Sequence, residues 1–316
     1  MRLLVTLAAL ALWGPSARSL AAPSVASCPA FRRLYPANSL GTIVHGETAV
    51  DWRSGYPLVL LTLGNVSGWA LVDLGASLSV VTPAFMTGSA VRLALPGASR
   101  VAVTGVGGEA GTFERVRIAH LRSGTIDFDE SDILVARELP LLFGRPVQAI
   151  LGLDLLARAG HLRFRRDGPG WRLTAGDGDA NRTPSDSLDV TLTGALLSVV
   201  ARVDTSAALL VMDTGSFRTF FDPGMAYRAT FERIKDDDDP PFGLDGRSVP
   251  SQTASVRSIA LGSAKWRDVE VSIARLASLR PEGHPATVDG LLGSDLLKQL
   301  RDFELDFDCA RFRFRK

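Results

Sequence analysis

Two aspartates in this chain each end an apolar run and are followed two residues later by a glycine. They are Asp73 in Leu71-Val72-Asp73-Leu74-Gly75 and Asp213 in Leu209-Leu210-Val211-Met212-Asp213-Thr214-Gly215-Ser216. An apolar run of that length is consistent with a buried strand, and the acid, hydroxyl and glycine that follow are turn chemistry. A carboxylate delivered by a buried strand is costly to ionise unless it is hydrogen-bonded, so such an acid is a candidate for chemistry. Taken singly, Asp-x-Gly is ordinary turn composition. Taken as a pair, it is more: two carboxylates a few ångströms apart share a proton, leaving one member a base and the other an acid.

The surrounding sequence repeats with them. An offset of 140 places Leu58-Val59-Leu60 on Ser198-Val199-Val200, Leu71-Val72 on Val211-Met212, Gly75 on Gly215 and Pro83 on Pro223. An offset of 141 then places Ile150-Leu151-Gly152-Leu153-Asp154-Leu155-Leu156 on Leu291-Leu292-Gly293-Ser294-Asp295-Leu296-Leu297. Each half thus carries an acid–x–glycine after a strand and an apolar-apolar-glycine about 80 residues later. Self-similarity at fixed spacing is a fold-level signal, stronger than either motif alone. The elements that must carry the acids are strand-like: Leu58 to Leu63 and Trp69 to Val72 about a turn at 64–68, then Arg100 to Thr104 before Gly105-Val106-Gly107-Gly108. Gln148 to Leu156 reads as a buried strand passing into a short helix. The Gly-, Asp-, Pro- and Ser-rich stretch from Arg165 to Ser187 is the candidate connection between the halves.

The doubled landmarks resemble those of aspartic proteases of the retropepsin-like and pepsin-like kind, from about residue 50 onward. The resemblance implies a mostly β fold of two pseudo-symmetric, aspartic-protease-like β-barrel lobes with a substrate cleft between them. It divides the chain into lobes at 23–175 and 176–316. It also implies that Asp73 and Asp213 form a catalytic dyad that hydrolyses peptide bonds of a peptide or protein substrate, with no metal or cofactor. Gly75, Ser77, Thr214, Gly215 and Ser216 are then the supports of the two active loops, with the Ser216 hydroxyl backing the acid. Gly105, Val106, Gly107 and Gly108 fall where a substrate-covering flap belongs; plain hairpin turns are the alternative. No tyrosine stands beside them. Leu74 departs from the family pattern, which has Thr or Ser there. Its missing cross-loop hydrogen bond is worth on the order of 1 kcal/mol. A weakened or inactive peptide-binding protein on the same fold is the alternative this raises.

Bulk properties narrow the field. A formal net charge of +1 and the lack of a basic cluster argue against nucleic-acid binding. The dinucleotide-like Gly105-x-Gly107-x-x-Ala110 precedes an alternating segment rather than a helix. His45, His120, His161 and His284 have no metal-ligand spacing. Residues 1–22 read as a signal peptide: Arg2, an apolar run from Leu3 to Trp13, and Ser19-Leu20-Ala21. No stretch is long and apolar enough to span a bilayer. Export to the periplasm or the medium of a bacterium, as a monomer, is the expectation. Val25-Ala26-Ser27-Cys28 resembles a lipobox, but prolines and Arg18 disfavour a lipid anchor. The chain holds only one other cysteine, Cys309. In an oxidising compartment Cys28 and Cys309 can pair; two separate thiols are the alternative.

Overall fold

The computed structural model describes residues 43–86, 92–93, 100–106, 108–139, 141–142, 144–176, 186–243, 246–279 and 288–316. Among the described residues the fold is mostly β, and the strands lie in three sheets of ten, six and eight strands. The ten-stranded sheet is built from the first half of the chain and the eight-stranded sheet from the second. These are the two pseudo-symmetric lobes.

The internal repeat becomes the same local topology in each lobe. In the first, Val66–Val72 carries the chain to Asp73 and pairs in parallel with Arg145–Leu151, in register Leu71 with Ile150 and Val72 with Leu151. The return strand Val80–Val81 lies antiparallel on the other side of Arg145–Leu151. In the second, Ser206–Asp213 pairs in parallel with Gly290–Gly293, and Phe220–Phe221 lies antiparallel beyond it. The apolar-apolar-glycine segment is therefore the middle strand of three, buried on both faces. That position explains its continuous apolar run, since a strand covered on both sides has no polar alternation.

The glycine that ends each middle strand is required by close approach. A Cβ on Gly152 would stand 2.7 Å from the Leu78 carbonyl oxygen, and one on Gly293 would stand 2.4 Å from that of Arg218. The loop behind each of Asp73 and Asp213 folds directly over its glycine. A short helix follows in both lobes, Leu153–Leu156 and Ser294–Leu297.

The six-stranded sheet joins the halves. Its strands run in the order Asp186–Asp189, Arg311–Arg315, Asp302–Asp306, His161–Asp167, Gly170–Ala175 and Gly46–Val50, three from each half. Leu162 pairs with Leu305 and Phe164 with Phe303 across the junction. The Phe164 and Phe303 rings stack at 4.7 Å, and Trp52 packs 5.0 Å from Trp171 beside them. This sheet corrects one expectation. Most of the stretch from Arg165 to Ala175 is not connection but two strands joined at Gly168, which takes a positive φ of 55°. Polar composition misleads there because Arg165, Arg166 and Asp167 at the end of their strand are exposed. A second correction is smaller: the turn expected at 64–68 narrows to a tight hairpin between Leu58–Leu63 and Val66–Val72. Residues 1–22, Cys28 and Gly107 lie outside the described residues. Cys309, in the turn between the last two strands, is not a free thiol.

Candidate active site

Asp73 and Asp213, 140 residues apart in sequence, meet where the two lobes touch, and both are fully buried. Gly75 and Gly215 are what allow the approach. A Cβ on Gly75 would fall 2.4 Å from Cγ of Asp213, and one on Gly215 would fall 2.4 Å from Oδ2 of Asp73. Each glycine faces the opposite lobe's carboxyl, so the contact has two-fold symmetry. No residue with a side chain fits at either place. The Gly75 N–H donates to Asp73 Oδ1 at 2.8 Å, and the Gly215 N–H donates to the same oxygen at 3.2 Å.

The two carboxyl groups face each other across the lobe boundary, each against the other's loop glycine. Burial, then the charge of Asp213, pushes the Asp73 carboxyl well above the usual carboxylate range; the two glycine N–H groups pull the other way. The pair is thus built to hold a single proton in a low-dielectric place, with one acid and one base side by side.

The loops are clamped across the lobe boundary from one side. The Leu74 N–H donates to Thr214 Oγ1 at 2.9 Å, and that hydroxyl donates to the Val72 carbonyl at 2.7 Å. Thr214 is buried and holds the opposite backbone on either side of Asp73. Leu74 returns no such hydroxyl contact. Its side chain is instead fully buried in the core shared with Val72 and Met212. The exchange is not a net loss in free energy: a neutral hydrogen bond contributes about 0.5–1.5 kcal/mol, while burying a leucine contributes about 1.5–3 kcal/mol.

The remaining supports behave less uniformly. Ser216 is buried, but its hydroxyl donates to the Arg218 carbonyl at 2.6 Å. A hydroxyl has one proton to give, so Ser216 holds its own turn rather than backing the carboxyl as expected. Ser77 is buried in the equivalent first loop, and its carbonyl accepts from the Asp154 N–H at 3.3 Å.

Gly105, Val106 and Gly108 form the tip of a hairpin between Arg100–Gly105 and Gly108–Ser123. The tip leans across to the other lobe. The Val106 carbonyl accepts from the Ala277 N–H at 2.9 Å, and its side chain is buried in a cluster with Val211, Phe220, Leu276, Leu279 and Leu291. The hairpin tip from the first lobe is thus seated on the second.

Sequence reasoning missed four residues that brace these loops. Ser79 and Thr219, each six residues after its aspartate, bond to Asp154 and Asp295 in the short helices. Asp154 and Asp295 stand in the repeat, but a hydroxyl in a turn carries no signal until its partner's position is known. Among the described residues no group of His, Cys, Asp and Glu is arranged to hold a metal.

A family model described as aspartyl protease matches residues 59–155 and 199–296, one segment per lobe. Among curated proteins no sequence matches. Among solved structures, the aspartic proteinase from Irpex lacteus superposes with a TM-score of 0.52 at 13% identity, over 86% of this chain and 97% of that one. Basic 7S globulin from soybean aligns with a TM-score of 0.45 at 14% identity, over 87% of this chain and 95% of that one.

Proposed function

Since the chain belongs to the aspartyl protease family, we propose that it is an active aspartic endopeptidase whose catalytic residues are Asp73 and Asp213. One observation carries this reading: the two carboxyls come from opposite lobes, are buried, and stand each against the other's loop glycine, with glycine N–H groups donating to Asp73. In the singly protonated pair, the ionised carboxylate takes a proton from a water as the water attacks the scissile carbonyl. The protonated partner gives its proton toward the carbonyl oxygen, so that the tetrahedral intermediate forms without free charge. Collapse returns a proton to the departing amine. The site needs no metal or cofactor for these steps. The substrate is a peptide or an unfolded protein segment, admitted when the hairpin tip at Val106 lifts.

A digest of a random peptide library with wild type, Asp73→Asn and Asp213→Asn tests the reading. Cleavage by the wild type that vanishes in both variants is the expected result; cleavage surviving in either one sinks the dyad. A second reading, a peptide-binding protein without turnover, is favoured by Leu74 and by the closed tip. Peptide binding with no cleavage across pH 3 to 8 would select it.

The setting completes the proposal. Residues 1–22 direct export, the mature protein acts as a monomer in the periplasm or medium, and Cys28 pairs with Cys309. Mass spectrometry of the secreted protein, with and without reduction, reads its N-terminus and that disulfide together.

A further inference from the structure

Behind each active loop lies the same chain of hydrogen bonds. In the first lobe the Gly152 N–H donates to Ser79 Oγ at 2.9 Å, and that hydroxyl donates to Asp154 Oδ1 at 2.6 Å. The Ser79 N–H closes the ring on Asp154 Oδ2 at 3.0 Å. In the second lobe the Gly293 N–H donates to Thr219 Oγ1 at 3.2 Å, which donates to Asp295 Oδ1 at 2.9 Å. A backbone hydrogen bond from Thr219 to Asp295 matches the first lobe again. Donor, hydroxyl and carboxylate sit at corresponding positions of both repeats.

These rings lie one step from the dyad. The Asp73 N–H donates to the Leu151 carbonyl at 2.9 Å, one residue before Gly152. In the other lobe Asp213 pairs in register with Gly293 itself. The Leu153 N–H donates to the Ala76 carbonyl at 2.8 Å, and the Ser294 N–H to the Ser216 carbonyl at 2.7 Å. Ser294 Oγ adds a bond to the Thr214 carbonyl at 2.8 Å. Both aspartate loops are therefore tied at two or more points to a glycine-ended strand or the residue after it, and each such strand is fixed by one hydroxyl and one carboxylate.

We propose that Asp154 with Ser79, and Asp295 with Thr219, are positioning residues that set the separation of Asp73 and Asp213. The inference rests on the dyad reading above and adds residues to it. The hydroxyl is the central part, because it takes the glycine N–H and passes its own proton to the carboxylate. Without it, a buried N–H and a buried carboxylate oxygen are left unmatched, and the strand end shifts to find other partners. A displaced loop moves its aspartate relative to its partner. Coupling between the two carboxyls falls as they separate, so their two proton-loss steps move toward each other. None of the four residues touches substrate.

The test uses Ser79→Ala and Thr219→Val, which remove only the hydroxyl, beside Ser79→Thr and Thr219→Ser, which keep it. The expected result is a loss of kcat of about tenfold or more in the first pair with little change in KM, and near-normal kcat in the second. The pH profile of kcat/KM should narrow in the first pair alone. Within one lobe, adding Asp154→Asn to Ser79→Ala should cost little further, as parts of one unit are non-additive. Carboxyl-carbon NMR titration of Asp73 and Asp213 gives the same information without turnover: their two transitions should lie closer together in the hydroxyl-free variants. Unchanged dyad titration in a folded hydroxyl-free variant would overturn the positioning role. A wild type that cleaves nothing, with a titration that still responds, would instead overturn the endopeptidase reading and keep this one.

Discussion

At the residue scale, the chain's departure from its family at Leu74 is resolved by what surrounds it. The Thr214 hydroxyl alone bonds both Leu74 N–H and the Val72 carbonyl, and the leucine side chain fills core. Thr214→Val should therefore be the damaging change, leaving a buried donor and a buried acceptor unpaired at about 1–3 kcal/mol each. Leu74→Thr loses apolar burial and gains one hydrogen bond, so chemical denaturation should show it less stable by about 1 kcal/mol. If Leu74→Thr proves more stable than wild type, the argument that packing replaced the hydroxyl is wrong. For the dyad itself, Asp73→Asn and Asp213→Asn should each lower kcat by about 10²–10⁴-fold or more while the protein stays folded. Their melting curves check the second half of that statement.

At the element scale, much was legible and some was not. The two strand–acid–glycine units and the two apolar-apolar-glycine strands were readable because backbone burial imposes its own pattern: a strand covered on both faces must be apolar throughout, and a loop crossing it must meet a glycine. The end of the strand His161–Asp167 was misread because its edge is solvated and carries charge like a loop. The hairpin around Val106 was readable only as a turn. Its engagement with Ala277, on a segment more than 170 residues later, depends on how the lobes face each other. That contact has a measurable consequence. The Ala277 amide should exchange slowly with solvent deuterium in the free protein and quickly in Val106→Gly, whose tip has no side chain to bury. Equal protection in both proteins would mean that the apolar seat does not hold the tip.

At the scale of the whole molecule, buried acids set how stability follows pH. Asp73, Asp154 and Asp295 all have raised values, with burial the first cause in each; Asp295 is raised to about 6. A raised acid binds its proton more tightly in the folded state, so its contribution is present below about pH 4 and lost as pH rises through the folded value. His161, raised by its hydrogen bond to Glu304, adds stability below 6.5 that is lost above its folded value. Opposing them, Asp51 and Asp167 are lowered by Arg53 and Arg172, and Glu304 is lowered by His161 and Arg313 despite burial. Those three lose their contribution only in stronger acid. The melting temperature should therefore peak at about pH 4 to 5 and fall toward neutrality. Asp295→Asn should flatten the fall between about pH 4 and 6. A melting temperature that rises steadily from pH 4 to 7 would contradict this balance.

The sequence by itself determined the duplication, the two acids, the four glycines that let a backbone or a carboxyl come close, and hence the family. These are local necessities: a side chain at any of those glycines has nowhere to go, and a repeat written twice can be seen without a fold. Only the tertiary structure decided which hydroxyls serve the site. Thr214, Ser79 and Thr219 hold partners and Ser216 turns its proton to Arg218, although all four are hydroxyls following Asp73 or Asp213. A hydrogen bond has direction and a range of about 3 Å, and those are properties of the packed lobes, not of the order of residues.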